Sequence, residues 1–273
     1  MNAPSLLSLE IRRFLPNGTF RTLIVLYVVM FAGGFGMAHL IGGNFQMTVN
    51  GDTVRPLQDM FVHPKNWQLL AWIGSWANVL LLGFLGVFMI TLEFQYKTLR
   101  QSVIFGMTRG EVAAAKVFFA VALAAAATGV YLALGILGGI LTGSLSVPPC
   151  LSVIGFFLQA LGYLAFGTLA GLFIRHTALA IIAYLAYVMF LETVARWTFT
   201  LMVTPTRVLM FLPDKVLEGL APLPIPQSVS QAVQSATAAL PASLTPLESI
   251  IAAAVYLLVF AALLHRHLQR ADL

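Results

Sequence analysis

Six stretches of predominantly apolar sequence dominate this chain, at approximately 20–41, 67–92, 117–141, 151–174, 178–202 and 250–264. A helix needs roughly 20 apolar residues to cross the hydrocarbon core of a bilayer. The first five meet that length outright, and the sixth does so if its helix starts near Leu247. Only 9% of the 273 residues are charged and 59% are hydrophobic, against about 25% charged in a soluble domain. So few charges cannot cover a water-exposed surface. The same balance excludes a disordered chain, a collagen-like chain and a nucleic-acid-binding module. The only cysteine, Cys150, excludes an intrachain disulfide framework and a multi-cysteine metal site. The expectation is an all-α membrane protein: one transmembrane domain over 1–273, with six transmembrane helices.

An even number of spans puts both termini on one side. Ten of the 15 Lys and Arg residues fall on the side of the termini, four on the other side, and Arg196 within a span. That bias predicts cytoplasmic termini. The first apolar run exceeds the 7–15-residue core of a signal peptide, and no small-x-small site follows it. Before it, Leu7, Ile11, Phe14 and Leu15 fall at i, i+4, i+7 and i+8, with Ser8, Glu10, Arg12 and Arg13 elsewhere. This pattern predicts an amphipathic helix lying in the cytoplasmic interface. Two long connections face outward. In the first, Asn50-Gly51 between alternating segments predicts a small β-hairpin over 45–55. The second, 203–248, is proline-rich, with a short helix expected over 214–220 after Pro213. A structureless loop of that length is unusual, so short outer-side helices are expected there.

Several chemistries are missing. There is no G-x-x-x-x-G-K-[ST] and no Gly-Lys pair anywhere, so the chain carries no P-loop with which to hydrolyse ATP. There is no H-E-x-x-H, and no carboxylate completes a metal set with the five histidines. Glu192-Thr193-Val194-Ala195-Arg196 has only one Glu, and the next histidine after it is His265, which argues against an intramembrane protease.

The most informative stretch is 93–116, which gathers six charges into 24 residues. A short helix is expected over 98–105, ended by Gly106, and Thr108-x-x-Glu111 is a capping box directly before the third apolar run. These features predict a helical hairpin on the cytoplasmic side. The ordered set Glu93, Thr98, Arg100, Gly106, Thr108-Arg109 and Lys116 resembles the cytoplasmic connection of ABC-2-type transporter permeases, the type V ABC exporters. Glu93-x-x-x-Lys97-Thr98-Leu99-Arg100-Gln101 is similar to the form in a subgroup of bacterial permeases, where Phe105 departs from a commonly acidic position. The N-terminal amphipathic helix resembles the family's elbow helix, the outer segment its extracellular helices, and the tail Leu-Gln-Arg-Ala-Asp-Leu its basic-then-Asp-Leu ending. The resemblance implies Thr98, Arg100, Gly106, Thr108 and Arg109 in coupling to an ATPase, with Glu93 and Lys116 anchoring the hairpin. It also implies a non-enzymatic permease subunit in a bacterial inner membrane. Its partners would be a separate ABC ATP-binding subunit, which uses ATP and magnesium, and a second permease subunit, the same chain or a related one. The chain itself is expected to bind no cofactor and no metal. The competing expectation is a polytopic protein without an ATPase, such as a secondary transporter or assembly factor.

Glu192 and Arg196, at i and i+4 in the fifth span, share a helix face and can pair. Intramembrane charges face the bundle or a wet cavity, so the two are expected either to brace the outer half structurally or to line a substrate path. Gly139–Gly143 and Gly167–Gly171 are small-x-x-x-small pairs that allow close helix approach.

Overall fold

The first helix, α1 (Ala3–Phe14), turns through Asn17 into α2 (Gly18–Asn44), whose first amides are capped by Asn17 Oδ1 at 3.0 Å from Thr19 N. These elements belong to a computed structural model that describes residues 3–44, 47–49, 52–54, 65–96, 98–104, 106–143, 146–202, 207–224 and 244–270. Two short strands, β1 (Met47–Val49) and β2 (Asp52–Val54), pair antiparallel with Thr48 opposite Thr53. Asn50 and Gly51, on which the hairpin expectation turned, lie outside the described residues.

The second apolar run forms α3 (Lys65–Ala77) and α4 (Gly83–Gln95), joined without a break by a π-helical turn at Asn78–Leu82. A short helix, α5 (Thr98–Ile104), leads to α6 (Arg109–Thr142) and α7 (Cys150–Ile174). The fifth run repeats the device of the second: α8 (Thr177–Leu185), a π turn at Ala186–Leu191, then α9 (Glu192–Met202). A 3-10 turn (Arg207–Phe211), α10 (Pro213–Gly219) and the long α11 (Pro246–Arg270) follow. Six of these helical segments are long and apolar enough to cross a membrane.

The centre of the bundle is α7, which packs on α4, α6 and α11. It meets α4 through glycines. A Cβ on Gly167 would lie 2.0 Å from the Gly83 carbonyl oxygen, and one on Gly86 would lie 2.2 Å from that of Leu164. The backbones touch here because neither residue has a side chain. Gly171 also packs on α4, whereas Gly143 ends α6 in the left-handed region at φ 67. Gly143 is therefore a helix cap rather than a packing glycine, a role fixed by the chain turning before Pro148-Pro149.

Each π turn frees carbonyls that the core must satisfy. Tyr184 of α8 donates its hydroxyl to the Val79 carbonyl at 2.6 Å. Asn78, fully buried, accepts from the Tyr27 hydroxyl at 2.9 Å and donates to Gln159 Oε1 at 3.1 Å. Gln159 donates in turn to the Leu217 carbonyl at 3.0 Å. This buried relay ties α2, the π turn between α3 and α4, α7 and α10 together.

Candidate functional site

At the end of the bundle that carries the chain's N-terminal helix, α1 lies across α6 and brings four ionic side chains together. Lys116, eight residues into α6 and wholly buried, donates to Glu10 Oε2 at 2.6 Å and to Glu93 Oε1. Arg13 donates to the same Glu93 oxygen at 2.5 Å and to Ser102 Oγ on α5 at 2.9 Å. Burial pushes the Glu10 carboxyl above its usual range, Lys116 pulls it down, and Glu93 pushes it up again. Two carboxylates and two cations balance in charge, which is the condition for keeping ions out of water. The Lys116 ammonium also stands 4.9 Å from the Phe14 ring centroid, and Phe14 stacks on Phe119 beneath it.

The geometry shows which side of α1 meets the bundle. Its buried stripe is Leu6, Glu10 and Phe14, and Ile11 and Leu15 are exposed. The polar Glu10 is drawn inward because Lys116 waits there, an attraction that a hydrophobicity pattern cannot register. Sequence reasoning missed Glu10, Arg13 and Ser102 as partners. The available signal was a lysine placed two turns inside an apolar helix, which requires a counter-ion.

The residues of 93–116 are distributed around this network. Glu93 ends α4 and Lys116 lies in α6, in direct contact. Thr98 opens α5. The backbone of Arg100 lies on α5, and its side chain is outside the described ones, as are Lys97 and Phe105. Gly106 adopts φ 93, which only glycine takes without strain. Thr108 caps α6: its hydroxyl accepts from Glu111 N at 3.2 Å, and Glu111 Oε2 accepts from Thr108 N at 2.9 Å. Arg109 reaches across to the last turn of α11, donating to the Gln269 carbonyl at 2.6 Å. A cation at a helix C-terminus meets both an open carbonyl and the negative end of the helix dipole. On α5 the side facing the bundle is Ser102, while Ile104 (72% exposed) and, just before it, Tyr96 (68%) project outward.

At the opposite end Glu192 is buried, and its two oxygens accept from Asp214 N at 3.0 Å and Lys215 N at 2.9 Å. It thus caps the first turn of α10 from a neighbouring element. Tyr163 of α7 donates to Asp214 Oδ1 at 3.2 Å. Burial first, and then the charge of Glu192, raise the Asp214 carboxyl to about 7, with Arg196 pulling the other way. Glu192 and Arg196 therefore belong to a cluster that seats α10, which the spacing of the two in the sequence did not reveal.

An apolar cavity of about 410 Å³ opens between α4, α6, α7 and α11, lined by Met89, Ala120, Leu161, Leu169 and Phe260 and by the stem of Lys116. The Lys116 ammonium itself bonds to the Glu10 and Glu93 carboxylates. Among the described residues no group of three His, Cys, Asp or Glu side chains could hold a metal ion. No family model matches the chain, and no curated protein matches it.

Proposed function

We propose that this chain is the membrane-spanning permease subunit of an ATP-driven transporter, resembling ABC-2-type permeases and serving export. In this reading the end bearing α1 and α5 is cytoplasmic, in a bacterial inner membrane. A separate ATP-binding subunit supplies hydrolysis with ATP and magnesium, and a second permease copy or relative completes the pathway. The observation that carries it is α5. This short helix is fixed on one side to the Arg13–Glu93–Lys116 network and presents exposed Ile104 on the other, with Tyr96 exposed at the end of α4 just before it. Apolar and aromatic groups exposed at a polar end, beside basic residues, suit a protein docking surface. A movement of the partner at α5 would pass through Ser102 and Arg13 to α1, α4 and α6 as a rigid body.

Arg109 is a poorer docking residue than Arg100, because its guanidinium is engaged with α11. The test is co-expression with an ATP-binding-cassette subunit encoded beside this chain, comparing Ile104→Glu with Arg100→Glu, and Arg12→Gln as control. The two α5 variants should keep their yield, lose co-purification by tenfold or more, and lose ATP-dependent transport. Retention of the ATPase at unchanged affinity by both variants would overturn the reading. So would transport sustained by the chain with no ATPase present.

A further inference from the structure

We propose that Arg175 and His267 form a binding site for the phosphate diester of an anionic phospholipid, on the bundle end that carries the termini. Arg175 occupies the turn between α7 and α8 at φ 54, a conformation unusual for a residue with a side chain. Its guanidinium lies 5.1 Å from the Phe94 ring centroid and 3.5 Å from His267 Nε2. His267 is itself held edge-on to Phe173, with centroids 5.4 Å apart. The turn is pinned from the other side, where Gln95 donates to Thr177 Oγ1 and Thr177 to Thr91 Oγ1, each at 3.0 Å.

A guanidinium and an imidazole are thus fixed beside one another, and among the described residues no carboxylate pairs with either. Elsewhere at this end, Arg13 and Lys116 do have carboxylate partners. A guanidinium oriented by stacking, with most of its donors open, matches the paired oxygens of a phosphate group.

What lies beneath selects a lipid over a free anion. His267 continues along α11 into Leu263, Val259 and Val255, each four residues from the last and all exposed, which makes one apolar stripe running into the membrane. Phe173, 58% exposed, flanks its head. A headgroup at Arg175 would lay its acyl chain on this stripe. Basic pockets between spans on the cytoplasmic side recognise anionic headgroups in this manner. The site does not depend on the ATPase reading, since the docking helix α5 contributes nothing to it.

The experiment is native mass spectrometry of the full chain released from vesicles of equal phosphatidylglycerol and phosphatidylcholine with identical acyl chains, on wild type, Arg175→Gln, His267→Gln and Arg12→Gln. Wild type and the Arg12 variant should retain phosphatidylglycerol preferentially. The Arg175 variant should lose that preference roughly fivefold, the factor expected for one basic residue near an anionic surface. Arg175→Lys, which keeps the charge without the fork, should fall between. If Arg175→Gln does not fold, His267→Gln carries the same expectation. Equal retention of both lipids by wild type, or unchanged selectivity in the Arg175 and His267 variants, overturns the proposal. So does complete displacement of the lipid by millimolar inorganic phosphate, which would make the ligand a free anion. Normal lipid selectivity with lost ATPase association in Arg175→Gln would make the turn a protein contact instead.

Discussion

A single lysine sets the charge balance of the network at the α1 end of the bundle. With Lys116 replaced by Met, Glu10 and Glu93 would remain buried beside one another with only Arg13 to neutralise them. Breaking one partner out of a buried ion cluster costs about 3–5 kcal/mol. Lys116→Met should therefore lower the unfolding midpoint in detergent sharply, and Lys116→Met with Glu10→Gln should be milder than the sum of the two. Strict additivity would show that the groups do not interact. Asp214 offers a titration of the opposite sign from an ordinary paired carboxylate. Its folded value stands near 7, above its ordinary 3.8. From about pH 4 to 7 the unfolded chain gives up this proton while the native one keeps it, so stability falls as pH rises, and the loss is complete above about pH 7. Asp214→Asn should flatten this decline, measured as the unfolding midpoint between about pH 5 and pH 8. Glu10, also raised, adds a slope of the same sign, so the Asn variant should flatten the curve without abolishing it.

Among the helices, the α4–α7 contact tolerates the least. Gly167→Ala would drive a methyl into the Gly83 carbonyl and should cost about 3 kcal/mol through overpacking. Gly129, on an exposed face of α6 with nothing near its missing Cβ, provides the contrast. Gly129→Ala should be neutral or stabilise by about 0.5–1 kcal/mol. Thermal midpoints of the two variants in one detergent check both. The elements themselves were readable before the structure, because runs of apolar residues at membrane length admit few alternatives. The caps were readable for the same kind of reason: Thr108-x-x-Glu111 and Gly106 act through local backbone geometry that four residues determine. The π turns at Asn78–Leu82 and Ala186–Leu191 were not, since an inserted residue shifts the phase of the helix without altering its composition. Nor was the alliance of Glu10 with Lys116, or of Glu192 with the amides of α10, because each joins positions whose proximity only the packed bundle creates.

Across the whole molecule, the alternating direction of the apolar segments places Cys150, the sole and exposed cysteine, at the end away from α1 and α5. If the termini are cytoplasmic, a membrane-impermeant maleimide applied to intact cells should label Cys150, and Cys150→Ser should abolish the signal. Labelling only after permeabilisation would invert the topology. The long reach of the network at the α1 end has a further consequence for how the chain is made. Glu10 meets a partner 106 positions later and Arg13 one 80 positions later. At about 5–20 residues per second, a ribosome delivers Lys116 several seconds after Glu10 has emerged. Until then α1 has no seat on the third span, and Glu10 has only Arg13 of its own helix as a counter-ion. A nascent protein stalled before its third span would display an untethered, charged amphipathic segment, the kind of mark by which a membrane quality-control protease could distinguish an unfinished chain from a completed one.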